Sequence, residues 1–182
     1  LHVTEHSFPT RRSSDLPAGS RAVAGIGCHY MASFMPDRHT ATFTHMGGEG
    51  VPWVGQAPFT DEQHIFANLG DGTYFHSGIL AIRQAVAAFN RPAHHRQPTS
   101  GITYKILFND AVAMTGGQPV DGELTVPKLL RQLQAEGVGN IVLVTDGTDR
   151  PWHVSDIPHG VSIRHRDELD VIQRELRTLA GV

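Results

Sequence analysis

The chain alternates short apolar runs with longer amphipathic ones. The segments "RAVAGIG" (21–27), "TATFTHM" (40–46), "HIFANLGD" (64–71), "ITYKILFND" (102–110) and "NIVLVTD" (140–146) are rich in β-branched and aromatic residues. Most of them stop at a glycine or a polar residue, which predicts five strands. Between them, "SGILAIRQAVAAF" (77–89) brings Ile79, Ile82, Val86 and Phe89 near one helical face. "VPKLLRQLQAEG" (126–137) does the same with Leu129, Leu130 and Leu133 before Gly137 ends the helix, and "RDELDVIQRELRTLAG" (166–181) carries a stripe of Leu169, Ile172 and Leu176. Strands alternating with helices predict an α/β fold: a doubly wound, mostly parallel sheet with helices on both faces. Such sheets bind ligands at the carboxyl ends of their strands. The polar signals fall there: residues 25–28, residues 45–50, Asp71, Asn109 with Asp110, and Asp146.

The first residues change the domain boundaries. The run "HSFPTRRSSDL" (6–16) resembles the in-frame translation of a short-read sequencing adaptor, so it is set aside from fold reasoning. The expected organisation is a non-native or disordered segment over residues 1–16 and one domain over 17–182, truncated at both ends. Residues 89–101, "FNRPAHHRQPTSG", read as a surface loop between a helix and a strand.

Composition narrows the function classes. With 182 residues and 40% hydrophobic content, the chain supports a core of ordinary size. A net charge of −3 gives no basic field, so nucleic acid is not an expected partner. No run reaches the roughly 18 apolar residues of a membrane span. The single cysteine, Cys28, cannot form an internal disulfide or hold a metal cluster alone, which fits a reduced, cytoplasmic setting. The twelve histidines are scattered without the H-x-x-x-H spacing of zinc hydrolases.

The chemistry concentrates in "NLGDGTYFHSG" (68–78). Asp71 lies between Gly70 and Gly72 at the end of an apolar run, with few fixed partners of its own. Asn109 ends another strand and can reach the same place from a neighbouring strand tip. One carboxylate, one amide oxygen and a nearby backbone carbonyl suit a hard cation such as Mg²⁺, which commonly bridges protein and phosphate. Gly70 and Gly72 let the backbone approach a bulky anion, and a helix starting near His76 offers free N–H groups. Residues 115–118, "TGGQ", form a glycine-rich loop able to wrap phosphate oxygens. Gly-Asp-Gly alone is also an ordinary turn.

Taken together, the motifs "GIGCHYM", "FTHMGGEG", "NLGDGTYFHSG", "ITYKILFNDAVAMTGGQP" and "AEGV" resemble the 2-oxoacid:ferredoxin oxidoreductases, in particular the indolepyruvate ferredoxin oxidoreductase branch. The resemblance runs from about residue 16 to 182, apart from residues 89–101. The interval from Gly72 to Asn109 is longer than in the family, and the excess is expected to loop out without moving the site. The resemblance implies thiamine diphosphate and Mg²⁺ as cofactors, with Asp71, Asn109 and the carbonyl of Ala111 on the metal. It also implies Gly25, Gly27, Cys28, Gly70, Gly72, Thr73, Met114 and Thr115 around the cofactor. The implied reaction is oxidative decarboxylation of an arylpyruvate to an acyl-CoA, with ferredoxin as electron acceptor. A pyrimidine-binding domain supplying the activating glutamate, and any iron–sulfur cluster, would come from elsewhere in an oligomeric complex, leaving this chain inactive alone.

Other residues keep two readings. Cys28 lines the pocket or is an inert buried thiol. His45 and Glu49 are the candidate catalytic groups, although a turn or capping role suits them better, and His76 and Ser77 can simply cap a helix. Trp53 and Phe59 pack or line a rim, and Trp152 packs in the domain or at an interface. A related 2-oxoacid oxidoreductase or decarboxylase with another substrate, or a non-catalytic interaction module that keeps the fold, are the alternatives.

Overall fold

The structure is a computed structural model that describes residues 2–5, 15–90, 100–112, 116–120, 122–147 and 151–182. Seven strands form one sheet: β1 His2–Glu5, β2 Ala22–Ala24, β3 Thr40–Phe43, β4 His64–Gly70, β5 Gly101–Phe108, β6 Val142–Thr145 and β7 Ser162–His165. Their order is β3-β2-β4-β5-β1-β6-β7, and every pairing is parallel. The helices are α1 Val51–Gln56, the single turn α2 Asp71–Thr73, α3 Ile79–Phe89, α4 Val126–Ala135 and α5 Leu169–Leu176. A 3₁₀ helix, Cys28–Phe34, follows β2, and a π-helical turn, Tyr74–Gly78, joins α2 to α3.

The β4–β5 pair is the spine of the sheet, in register from His64 opposite Gly101 to Gly70 opposite Leu107. Both strands are buried almost throughout, as parallel strands covered on both faces require. On one face Ile65, Ala67, Leu69, Ile102, Tyr104 and Ile106 pack with Ile82, Ala85 and Phe89 of α3 and with Leu129, Leu130 and Leu133 of α4. Trp53 of α1 joins them, its indole N–H donating to the Gly101 carbonyl at 3.1 Å. On the other face Val144 packs with Ile172 and Leu176 of α5. Lys105 is fully buried on β5 and donates to Gln173 of α5 at 2.8 Å. The helices therefore lie on both faces of a parallel sheet, the architecture that the alternating pattern predicts.

Each predicted helical stripe is an internal face, and Gly137, at φ 88°, ends α4 as expected. Differences lie at the margins. Two strands add to the five predicted. β7 contributes an edge strand, and β1 lies between β5 and β6. The backbone of β1 belongs to the segment set aside as non-native or disordered, so the sheet takes one strand from ahead of residue 17; residues 6–14 lie outside the described residues. Of the predicted loop 89–101, residues 91–99 also lie outside them. The helix expected to start near His76 starts at Asp71, because α2 follows Gly70 directly. Trp152 is buried in the core, whereas Phe59 is 88% exposed.

Candidate functional site

The ends of four strands meet at the carboxyl edge of the sheet and enclose a cleft. The turn after β2 contributes Ile26, Gly27, Cys28 and His29, and Met46 comes from the loop after β3. The β4–α2 junction adds Gly70, Asp71, Gly72 and Thr73. Leu107, Asn109, Ala111 and Val112 close the cleft from β5 and the turn beyond it. Because β4 and β5 are parallel neighbours, Gly70 and Leu107 are paired, and the residues just past them come together although Asp71 and Asn109 are 38 positions apart.

Asp71 is 2% exposed and is the first residue of α2, where a negative charge meets the positive end of the helix. Its Oδ1 accepts from the Gly72 N–H at 2.8 Å. Its Oδ2 accepts from the N–H groups of Asn109, at 2.8 Å, and Asp110, at 2.6 Å. The partners of this isolated acid are thus backbone amides, two of them from the neighbouring strand's turn. Burial pushes its carboxyl pKa up, and the amide donors oppose that push without cancelling it. The turn is shaped to deliver those donors: Asp110 sits at φ 56°, in the left-handed region that Asp tolerates better than most residues. The Asp110 side chain itself is exposed.

Asn109 turns its side-chain oxygen toward the Ala111 N–H, 3.1 Å away, closing a local Asx turn. Beyond it, Val112 bridges Gln118: its N–H donates to the Gln118 carbonyl at 2.7 Å, and the Gly117 N–H returns to the Val112 carbonyl at 3.1 Å. Gly116 and Gly117 both have positive φ, the conformation in which Gly117 and Gln118 meet Val112. Met114 and Thr115, expected at the cofactor, lie outside the described residues.

The remaining candidates divide. Gly27, Cys28, Gly70, Gly72 and Thr73 border the cleft as expected. Gly25 does not border it; it is buried one step behind, where an added Cβ would come within 2.5 Å of Glu49 Cγ. Glu49 is fully buried, with Oε2 accepting from the Gly47 N–H at 2.8 Å and burial raising its pKa. His45 is exposed, its ring lying against Gly48. Neither His45 nor Glu49 is among the residues that border the cleft, so the two catalytic candidates are not assembled there. His29, Met46 and Val112 do border it, and sequence reasoning passed over all three. Only His29 carried a signal: it directly follows the "GIGC" turn.

The donors present are suited to a hard cation and an anion. A carboxylate offers about four lone-pair directions, of which the three amide contacts of Asp71 use three. Among the described residues no three His, Cys, Asp or Glu side chains converge, so a cation here would rely on one acid, an amide and carbonyls. Gly70 is informative because its backbone, φ −79° and ψ 155°, suits any residue, and a Cβ there would meet nothing within 4 Å. Neither conformation nor packing calls for glycine; its bare Cα leaves space in the cleft.

Comparison with known proteins agrees with the motifs. The chain is 30% identical over 125 residues to indolepyruvate oxidoreductase subunit IorA of Thermococcus kodakarensis, covering 60% of this chain and 18% of that protein. It is 29% identical over 143 residues to IorA of Pyrococcus abyssi, covering 68% and 20%. With IorA of Methanothermobacter marburgensis it shares 34% over 97 residues, covering 53% and 14%. No family model matches the chain, and no solved structure does. The matched stretch spans about a fifth or less of the length of these relatives. At that distance, and over that stretch, the chain is similar to indolepyruvate oxidoreductase subunit IorA, in line with the resemblance drawn from its motifs.

Proposed function

We propose that the chain is the thiamine-diphosphate- and Mg²⁺-binding domain of an oxidoreductase of the indolepyruvate ferredoxin oxidoreductase type. Its reaction would be the oxidative decarboxylation of arylpyruvates to acyl-CoA, with ferredoxin as electron acceptor. The observation that carries the reading is the junction of the Asp71 carboxylate with the Asn109–Asp110 turn across two strand tips. It puts one acid and one amide side chain beside an opening that Gly70 leaves free.

In this reading Asp71, the Asn109 side chain and the Ala111 carbonyl hold Mg²⁺. A divalent cation against Asp71 favours its ionised form, opposing the upward push of burial. Gly70, Gly72 and Thr73 bring backbone and hydroxyl donors to the diphosphate, together with Met114 and Thr115. Gly27 and Cys28 form the opposite wall. When bound, thiamine diphosphate supplies the carbanion chemistry and the electron sink; the chain supplies position and electrostatics. The arylpyruvate, coenzyme A and ferredoxin would be engaged by the whole enzyme, in the cytoplasm. A pyrimidine-binding domain would complete the site within an oligomer, and iron–sulfur clusters would lie elsewhere in the complex. Among the described residues no helix is long and apolar enough to cross a membrane.

Titration calorimetry with thiamine diphosphate, with and without MgCl₂, tests this. Binding heat that needs the metal and weakens by about a hundredfold or more in Asp71→Ala supports the site. Metal-independent heat, or heat indifferent to Asp71→Ala, overturns it.

A further inference from the structure

His29 stands in the first turn of the Cys28–Phe34 helix and borders the cleft. It is 6% exposed, and its Nε2 is buried without a hydrogen-bond partner. The ring is fixed on its other side. It hydrogen-bonds the Gly25 backbone, which leaves Nδ1 as the atom engaged. Its edge lies against Gly27, where an added Cβ would come within 2.8 Å of Cε1. Burial holds the imidazole pKa down to about 4, so the ring is neutral at pH 7. With Nδ1–H donating to the Gly25 carbonyl, Nε2 carries a lone pair and acts as an acceptor. A buried acceptor left bare carries a free-energy cost, which an ordered water or a bound group relieves when it donates to that acceptor.

We propose that His29 is a ligand-contacting residue of this cleft, its Nε2 accepting a hydrogen bond from an O–H donor of the bound diphosphate–metal unit. The inference rests on reading the cleft as a thiamine diphosphate and Mg²⁺ site. The donor chemistry is a water held on the cation, since Mg²⁺ commonly keeps several waters and a metal-bound diphosphate is deprotonated at pH 7. The Gly25 carbonyl fixes the ring as an outer partner fixes a metal-site histidine, so the acceptor is in place before the ligand arrives.

The test uses the 182-residue chain at pH 7 with ¹⁵N-labelled histidine, titrated with thiamine diphosphate and MgCl₂. The His29 Nε2 resonance, assigned by its loss in His29→Gln, moves upfield on saturation; a resonance that stays still while binding heat is measured overturns the inference. Calorimetry of two variants gives an independent reading. His29→Phe keeps the ring volume but lacks the acceptor, and weakens binding about tenfold; His29→Gln restores a polar atom near Nε2 and stays within about threefold of the parent. Affinity in His29→Phe equal to the parent, with Asp71→Ala still damaging, removes His29 from the site and leaves the cofactor reading intact. Absence of metal-dependent binding in the parent chain overturns both.

Discussion

Asp71 at the end of β4 and Glu49 in the loop after β3 are both buried carboxyl groups at the same edge of the sheet, yet their surroundings differ in kind. Asp71 accepts three backbone N–H groups, two of them from another strand's turn. Glu49 takes its backbone donors only from its own turn, Gly47 two residues away and its own N–H, and its Oε1 is buried with no partner. The Tyr104 hydroxyl donates to the Glu49 backbone carbonyl at 3.0 Å and so fixes the main chain, not the acid. Burial raises the pKa of both groups. The comparison separates a carboxylate held by donors and facing a cleft from an acid enclosed by packing. The first arrangement can hold charge when a cation arrives; the second is favoured as the neutral acid.

The largest expected effect is at Asp71. Replacement by alanine strips three amides of their acceptor and unties the β5 turn from α2, which costs about 3 kcal/mol of stability in urea unfolding. A loss below about 1 kcal/mol would mean that water satisfies those amides and that the junction is loose. Next comes Gly25→Ala, whose Cβ would press on the buried Glu49 side chain; overpacking of this kind costs about 2 kcal/mol, read as a lowered melting temperature. The double variant Gly25→Ala with Glu49→Ala should recover most of that loss, and failure to recover it would place the strain elsewhere.

The smallest effect is Glu49→Gln, which keeps the shape of a protonated acid. At pH 5 its stability should lie within about 1 kcal/mol of the parent. The sign of the pH dependence follows from the raised pKa: the native state holds the Glu49 proton more tightly than the unfolded chain, whose glutamate titrates near 4.5. Its contribution is full below that value and is lost as pH rises through the folded-state pKa. The neighbouring His45 works against the shift when it is charged. The difference between parent and Glu49→Gln should therefore move in favour of the glutamine as pH rises. Parallel curves would show that Glu49 is ionised throughout.

Periodicity revealed the spine of this fold because β4, β5 and the helices over them are apolar where they are internal. Leu129, Leu130 and Leu133 are all fully buried, as their spacing requires. β7 escaped notice because "SIRH" is half-exposed and charged, so its strand character comes from pairing with β6 and not from its own residues. The start of α2 was misread for a related reason: Gly70 offers no capping side chain, and the only sign of a helix there is the acid at its first position. At the site, the convergence of Asp71 with Asn109 was legible from strand ends and parallel order. The roles of the amides were not, since backbone donors leave no trace in residue identity. Gly25, expected at the cofactor, backs onto Glu49, because glycine beside a ligand and glycine beside a buried glutamate read alike. His29 was overlooked because its importance lies in an unsatisfied nitrogen, which only packing can create.

The two sides of the cleft are carried by strands whose tips are held together by a register that runs the length of β4. Any molecule that grips both tips must therefore resist their parting, and its affinity is drawn from the same reservoir as the sheet's resistance to unfolding. Weakening of the strand seam far below the opening would surface as poorer ligand retention, and a tightly held ligand would shield the seam from proteases.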